Sequence, residues 1–341
     1  MVKDLCFEIT DACLNDCDKN TTISYEDFKR VIDYFIKTGG IEELSISGGE
    51  PFFHPELLKM IGYARSKNIR TIIFTSGVVV KKKFNEEQVK EIEAEMNKML
   101  NEAKKNEPWN TRLLKYINEH YQNLMNSKEY SQISIEVLKK LKEMGLNKIV
   151  FDFQVYGLET DNYLMGRGQE SRQALFNSIL MAKYVGLNVD INFIPMKSNY
   201  KEIKEILELL EIAGVDNISI LNFVPQGREN IYKSKLMLTE EELKEFFELL
   251  EEGKERYSGN VRIGIPLQGE NSHKCNAGLE KIYIKFDGTI LPCQAFKELT
   301  LEEAKKYNIK LFNIYENLED VQIPGRGTKK EPLCKVVYKN R

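Results

Sequence analysis

Along the chain, short apolar runs alternate with longer stretches in which apolar residues recur at helical spacing. The short runs predict strands over Leu5–Thr10, Glu43–Ser47, Arg70–Thr75, Lys148–Gln154, Asn188–Phe193 and Asn217–Leu221. The longer stretches predict helices over Tyr25–Lys37, Glu56–Lys67, Ser134–Met144, Ser171–Val185, Tyr200–Ile212 and Thr239–Gly253. Thr239, followed by glutamates, fits an N-cap, and Gly145 fits a helix stop. Strands separated by helices run parallel, and a parallel sheet needs its faces covered. The pattern therefore predicts an α/β fold built from six strand-helix repeats.

Two stretches depart from the repeat. Lys81–Ser131 is rich in Lys, Glu and Asn, with apolar residues at helical spacing: Val89, Ile92, Met96 and Leu100, then Leu113, Leu114, Ile117 and Tyr121. It predicts an insertion of two amphipathic helices, broken near Glu107-Pro108-Trp109-Asn110. Its plain role is a helical decoration; the functional alternative is a lid or docking arm. His120 reads as a surface or half-buried histidine. Beyond residue 250, Asp287-Gly288 between the apolar runs Ile282–Phe286 and Thr289–Leu291 predicts a hairpin. The expected domains are thus 1–250, with 81–131 inserted, and a smaller one over 251–341.

Composition narrows the function. The chain has 341 residues and a net charge of only −3 although 30% of its residues are charged. That balance gives no case for nucleic acid or an anionic membrane as the main partner. No apolar run approaches the ~20 residues needed to span a bilayer, so the expected location is cytoplasmic. There, the six cysteines read as metal ligands or free thiols rather than disulfides. Cys13 and Cys17, four residues apart after the first strand, suit one iron site. Cys275 and Cys293 flank the hairpin, which brings two thiolates into one corner, and Cys334 follows. A Zn site of three cysteines plus His273, or no metal at all, are the alternatives there. Cys6, on the first strand, reads as a small core residue.

The candidate chemistry centres on Ser45-Ile46-Ser47-Gly48-Gly49-Glu50-Pro51. Paired glycines after a strand let the backbone turn sharply and approach a bound molecule. Glu50 then lies at the carboxyl edge of the sheet, where ligands of α/β proteins bind.

This Gly-Gly-Glu-Pro turn resembles the radical S-adenosylmethionine (radical SAM) family, in which it holds the amino group of the cofactor. Thr75-Ser76-Gly77 resembles the family's Thr-Asn-Gly turn, and Val224-Pro225-Gln226-Gly227-Arg228 its sixth strand end. Cys13 and Cys17 match the first two positions of the family's C-x3-C-x2-C loop, and Asn20 stands at the third. A small deletion over that ligand accounts for the early start of the next helix; replacement by Cys6 is the alternative. The Cys275-x12-Gly288-x4-Cys293 arrangement resembles the SPASM and twitch auxiliary cluster domains.

The resemblance implies a partial (β/α)6 barrel with a helical insertion and a small C-terminal hairpin and cysteine domain. It also implies S-adenosylmethionine and a [4Fe-4S] cluster as cofactors, an auxiliary iron-sulfur cluster, and an electron donor such as flavodoxin or ferredoxin. Under it, Gly48, Gly49, Glu50, Pro51, Thr75, Gln154, Arg167, Asn192, Val224 and Pro225 are cofactor-binding. Cys13, Cys17, Cys275, Cys293 and Cys334 are metal ligands. Cys6 and Tyr156 are candidates for the group that handles the final hydrogen. The implied activity is hydrogen abstraction from a ribosomally made peptide, leading to epimerisation or crosslinking. The alternatives are a small-molecule dehydrogenase and a binding relative that has lost radical chemistry along with its third cysteine.

Overall fold

A computed structural model describes residues 2–12, 21–105, 111–125, 128–157, 160, 164, 169–223, 229–263, 277–278, 280–306, 309–316 and 318–321. The chain forms two compact units, Met1–Val78 with Gln132–Arg341, and Val79–Ser131.

The second unit is the predicted insertion. Helices α3 (Glu86–Lys105) and α4 (Thr111–Met125) fill it, and Met96 of α3 is buried. A two-stranded ribbon of β4 (Val78–Lys82) and β5 (Lys128–Gln132) closes its base, which the helical periodicity did not foretell. The β-branched run Val78-Val79-Val80 was the available signal. His120 is exposed, as expected.

In the first unit, β1 (Asp4–Glu8), β2 (Glu43–Ser47), β3 (Arg70–Thr75), β6 (Lys148–Asp152), β7 (Val189–Phe193) and β8 (Asn217–Ile220) run parallel in that order. These are the six predicted strands. A seventh, β9 (Asn260–Ile263), pairs parallel with β8. It escaped prediction because it has only four residues and is largely exposed. The hairpin strands are β10 (Lys281–Ile284) and β11 (Thr289–Leu291), and a short β12 (Phe312–Asn313) follows. β10 pairs parallel with the free side of β1, so the hairpin extends the main sheet. Among the described residues β9 and β12 are the sheet edges, which makes it an open sheet.

Connecting helices are α1 (Tyr25–Thr38), α2 (Leu57–Ser66), α5 (Ile135–Glu143), α6 (Gln169–Tyr184), α7 (Ile203–Ile212), α8 (Glu229–Leu236) and α9 (Glu240–Lys254), with α10 (Leu301–Lys306) near the C-terminus. Thr239 caps α9 in a reciprocal capping box with Glu242. None of the described helices is long and apolar enough to cross a membrane.

Side-chain alternation gives the sheet two unlike faces. Leu5, Phe7, Leu44, Ile46, Ile73, Phe151, Ile191 and Phe193 are buried on the helix side. There Phe7 stacks on Phe28 of α1 and Phe193 on Phe246 of α9. The opposite face carries Asp4, Cys6, Glu8, Ser45, Ser47, Lys148, Asp190, Asn192 and Ser219, aligned strand to strand by the register. Toward the amino ends of the strands this polar face is closed by charge pairs. Lys281 meets Asp4 at 2.8 Å, Arg70 meets Glu43 at 3.3 Å, and Lys148 meets Asp190. Asn217 Nδ2 adds a hydrogen bond to Asp190 at 2.8 Å. The carboxyl ends remain for the site.

Candidate functional site

The turn after β2 is held against the chain that leaves β1. Gly49 N–H donates to the Thr10 carbonyl at 2.8 Å, and Glu50 N–H to the Ala12 carbonyl at 2.7 Å. Both glycines are required by this approach. A Cβ on Gly48 would lie 2.3 Å from the Thr10 carbonyl oxygen, and one on Gly49 2.1 Å from that of Ala12. Gly48 also has φ +144°, a conformation side chains disfavour.

The same contacts fix the two ends of the cysteine loop. Asp11 N–H donates to the Thr21 carbonyl at 3.1 Å, and the Asp11 carboxylate receives the Thr21 N–H at 2.7 Å. His54 helps from the other side. Its Nδ1 accepts from the Glu56 N–H, so its Nε2 donates to the Ile23 carbonyl at 2.8 Å. The loop itself, with Cys13 and Cys17, lies outside the described residues.

Glu50 is fully buried. Its Oε1 accepts from the Thr75 hydroxyl at 2.7 Å and the Phe52 N–H at 3.2 Å. Its Oε2 accepts from the Ser76 N–H at 2.8 Å and from the Ser76 hydroxyl. A carboxylate offers about four lone-pair sites, and all four are engaged here. Burial pushes the Glu50 pKa up, while the donors of Ser76, Thr75 and Phe52 pull against it. Glu50 thus joins the β2 turn to the carboxyl end of β3. Thr75 is buried beside it and also accepts from the Gly77 N–H at 2.9 Å. Pro51 opens a short 3-10 turn over Pro51–Phe53.

Farther along the carboxyl edge, Gln154 follows β6 and ties it to β7. Its Oε1 receives the Ile194 N–H at 2.8 Å, and its Nε2 donates to the Asn192 carbonyl at 3.4 Å. Asn199, which the sequence reading missed, donates to the carbonyls of Gln154 and Ile194 at 2.8 and 3.0 Å. Asn192 is half-buried on the polar face. Tyr156 is exposed, with the Arg172 guanidinium 5.4 Å from its ring centre. Its N–H donates to Glu202 at 2.7 Å, and Glu202 also receives the Thr160 hydroxyl at 2.8 Å. Arg167, Val224 and Pro225 lie outside the described residues.

The cysteines divide. Cys275 and Cys334 lie outside the described residues, whereas Cys293 follows β11 and packs beside a buried cluster of Cys6, Tyr283, Leu291, Phe296, Ala304 and Ile309. Gly278 N–H contacts the Pro292 carbonyl at 3.2 Å, which joins the two ends of the hairpin. Among the described residues no group of three or more His, Cys, Asp or Glu is arranged to hold a metal.

Cys6 is buried, as expected, with Sγ 3.6 Å from the Ser47 hydroxyl. Burial pushes its thiol pKa from 9.0 to about 12. The sign follows: a raised folded value contributes stability below pH 9.0 that is lost as pH rises through about 12. Cys6 is therefore expected to stay a thiol and to resist iodoacetamide in the native protein at pH 8. Peptide mass spectrometry checks this, and rapid native alkylation of Cys6 counts against a buried thiol.

Other polar-face residues were also missed. Glu8 is 3% exposed and forms an ion pair with Lys297, and Tyr283 is 1% exposed on the neighbouring strand. The period-two pattern Asp4, Cys6, Glu8 was their only local signal.

Solved structures with the same fold include Streptococcus suis SuiB bound to S-adenosylmethionine. It is 17% identical, has a TM-score of 0.61, and the match covers 94% of this chain and 65% of that one. SuiB bound to precursor peptide SuiA is 15% identical with a TM-score of 0.60, covering 99% and 65%. Native anSMEcpe with bound AdoMet and Cp18Cys peptide is 13% identical with a TM-score of 0.57, covering 95% and 82%. This chain thus spans less than two thirds of the SuiB chain. No curated protein matches it. Residues 6–167, from β1 past the Gly-Gly-Glu-Pro turn and beyond β6, match the model of the Radical SAM superfamily.

Proposed function

We propose that this protein is a radical SAM enzyme that modifies a peptide. The observation that carries the reading is the backbone pairing of Gly49 and Glu50 with Thr10 and Ala12. It joins the turn that would receive the cofactor to the start of the loop that would ligate iron. In this family S-adenosylmethionine, held at an iron-sulfur cluster, supplies hydrogen-atom abstraction through a 5′-deoxyadenosyl radical.

The fit of the residues to these groups is uneven. Gly48 and Gly49 let the turn press against the Thr10–Ala12 backbone, and Gln154 and Asn192 lie on the same edge of the sheet. Glu50, with its oxygens engaged, serves this site by holding the turn against β3. Arg167, Val224 and Pro225 belong to the proposed cofactor site by resemblance alone. Cys13 and Cys17 provide two thiolates, and Asn20 stands where the family has a third. Two thiolates fall short of the three in the family's cluster set. Cys275, Cys293 and Cys334 are proposed to hold an auxiliary iron-sulfur cluster, supported by the joined ends of the hairpin. A flavodoxin or ferredoxin would supply electrons.

The peptide reading draws on SuiB, which has the same fold and is known in complex with a precursor peptide. A second reading is favoured by Asn20: a cofactor- or peptide-binding relative without radical chemistry. Anaerobic reconstitution with iron and sulfide, followed by reduction with S-adenosylmethionine, separates the two. The enzyme should bind roughly four irons per cluster and form 5′-deoxyadenosine. Bound S-adenosylmethionine with sub-stoichiometric iron and no 5′-deoxyadenosine would leave the binding reading in place.

A further inference from the structure

Beyond β1 the polar face of the sheet continues onto the hairpin, where it floors a cavity. Tyr283 pairs with Cys6 and Leu291 with Tyr283, so Leu291 faces the same side as Cys6 and Glu8. Thr289, two residues before Leu291, shares that face and pairs with Asn313 of β12. Lys285 stands beside Thr289, its N–H donating to the Thr289 carbonyl at 2.9 Å. Lys297 and Leu299, between the 3-10 turn Gln294–Phe296 and α10, wall this floor together with Leu311 and Glu316. The cavity measures about 360 Å³, within the size range of small-molecule sites.

Its lining is divided by chemistry. Leu291, Leu299 and Leu311 belong to one hydrophobic cluster; Leu291 is buried, but Leu299 and Leu311 are only half-buried. Those two leucines present aliphatic surface to the cavity, and covering it with an apolar group is favourable. The polar part carries both signs and is already balanced. Lys285 meets Asp287 at 2.9 Å, and Lys297 pairs with Glu8. Asn313 is engaged as well, donating to the Asp287 carbonyl at 3.2 Å and accepting from the Tyr315 N–H at 2.9 Å. A free carboxylate therefore meets only compensated cations. Each ammonium has three N–H groups, so pairing with one carboxylate leaves donors for a neutral acceptor. Glu316, exposed on the lining, offers an acceptor. The complement is an aliphatic side chain on a neutral main chain, with a carbonyl for a lysine N–H and an N–H for Glu316.

We propose that this cavity is a specificity subsite for one large aliphatic side chain of the leucine class and its flanking main-chain amides. Under the proposed function, on which the subsite rests for its ligand, that residue belongs to the peptide substrate.

Saturation-transfer NMR on the full chain provides the test, with N-acetyl-L-leucinamide, N-acetylglycinamide and free L-leucine as probes. The leucinamide should bind roughly tenfold more tightly than the glycinamide, with its methyl protons the most strongly saturated. Free L-leucine should bind more weakly than the leucinamide, because its carboxylate meets lysines that are already paired. Leu299→Ala should weaken leucinamide binding about threefold to tenfold, and Leu311→Ala serves as an independent second variant. No leucinamide binding, or equal binding of the glycinamide or of L-leucine, overturns the subsite. So does leucinamide binding that neither variant changes. S-adenosylmethionine binding, measured alongside, should be the same in both variants as in the wild type. Its absence from the wild type would undo the proposed function and leave the leucinamide result standing on its own.

Discussion

Gly49→Ala should destroy the proposed cofactor site while leaving the helical insertion folded. The new Cβ would fall 2.1 Å from the Ala12 carbonyl oxygen, 2.6 Å from its carbonyl carbon and 2.7 Å from the Asp11 oxygen. All three are backbone atoms, so no side chain can swing aside. Overpacking of this kind costs on the order of 3 kcal/mol. The backbone can yield only by parting Ala12 from the Glu50 N–H, a 2.7 Å bond. Cys13 is the next residue in the chain, so the cysteine loop loses its anchor at the same moment. The expected result is loss of S-adenosylmethionine binding and of reconstituted iron, read by calorimetry and iron assay. Far-UV circular dichroism should be largely retained. Normal iron and cofactor binding in Gly49→Ala would mean that this turn does not position the loop.

Glu50→Gln should destabilise the fold even without any ligand. Oε1 faces the Phe52 N–H and Oε2 the Ser76 N–H. Whichever way a glutamine amide is turned, its NH2 meets one of those backbone donors and leaves it unsatisfied. The cost is about 1–3 kcal/mol, measurable as a lower urea midpoint. The pH dependence has a defined sign. Burial raises Glu50 above its ordinary 4.5, so folding favours its protonated form. That contribution is complete below about 4.5 and is lost as pH rises through the folded value. Glutamine does not titrate, so the gap between wild type and variant should widen as pH falls toward 4.5. Unchanged stability together with lost cofactor binding would show that the Glu50 oxygens serve a ligand and not β3.

Much of this architecture is local information. The strand-turn-helix alternation over β1, β2, β3, β6, β7 and β8 follows from apolar periodicity. The hairpin follows from Asp287-Gly288 between apolar runs, and the insertion from a long amphipathic stretch. β9 was illegible because its four residues carry little buried surface, and β4 and β5 because each stands beside a long helix that dominates any window. The turn at Gly48-Gly49-Glu50-Pro51 was legible as a ligand edge, but its chemistry was not. Glu50 reads as a free carboxylate until Thr75 and Ser76, on the next strand, are found bonded to it.

By itself, then, the sequence determined the order of the elements, the place of the glycine turn and the shortage of loop cysteines, because each is written within a few consecutive residues. The tertiary structure alone decided that β10 lies beside β1, that Glu8 meets Lys297 and Tyr283, and that all four lone-pair sites of Glu50 are engaged. Those outcomes depend on which strands pair and in what register. Pairing joins residues far apart in the chain, and periodicity within one strand states only which face a side chain takes, not which neighbour it meets there.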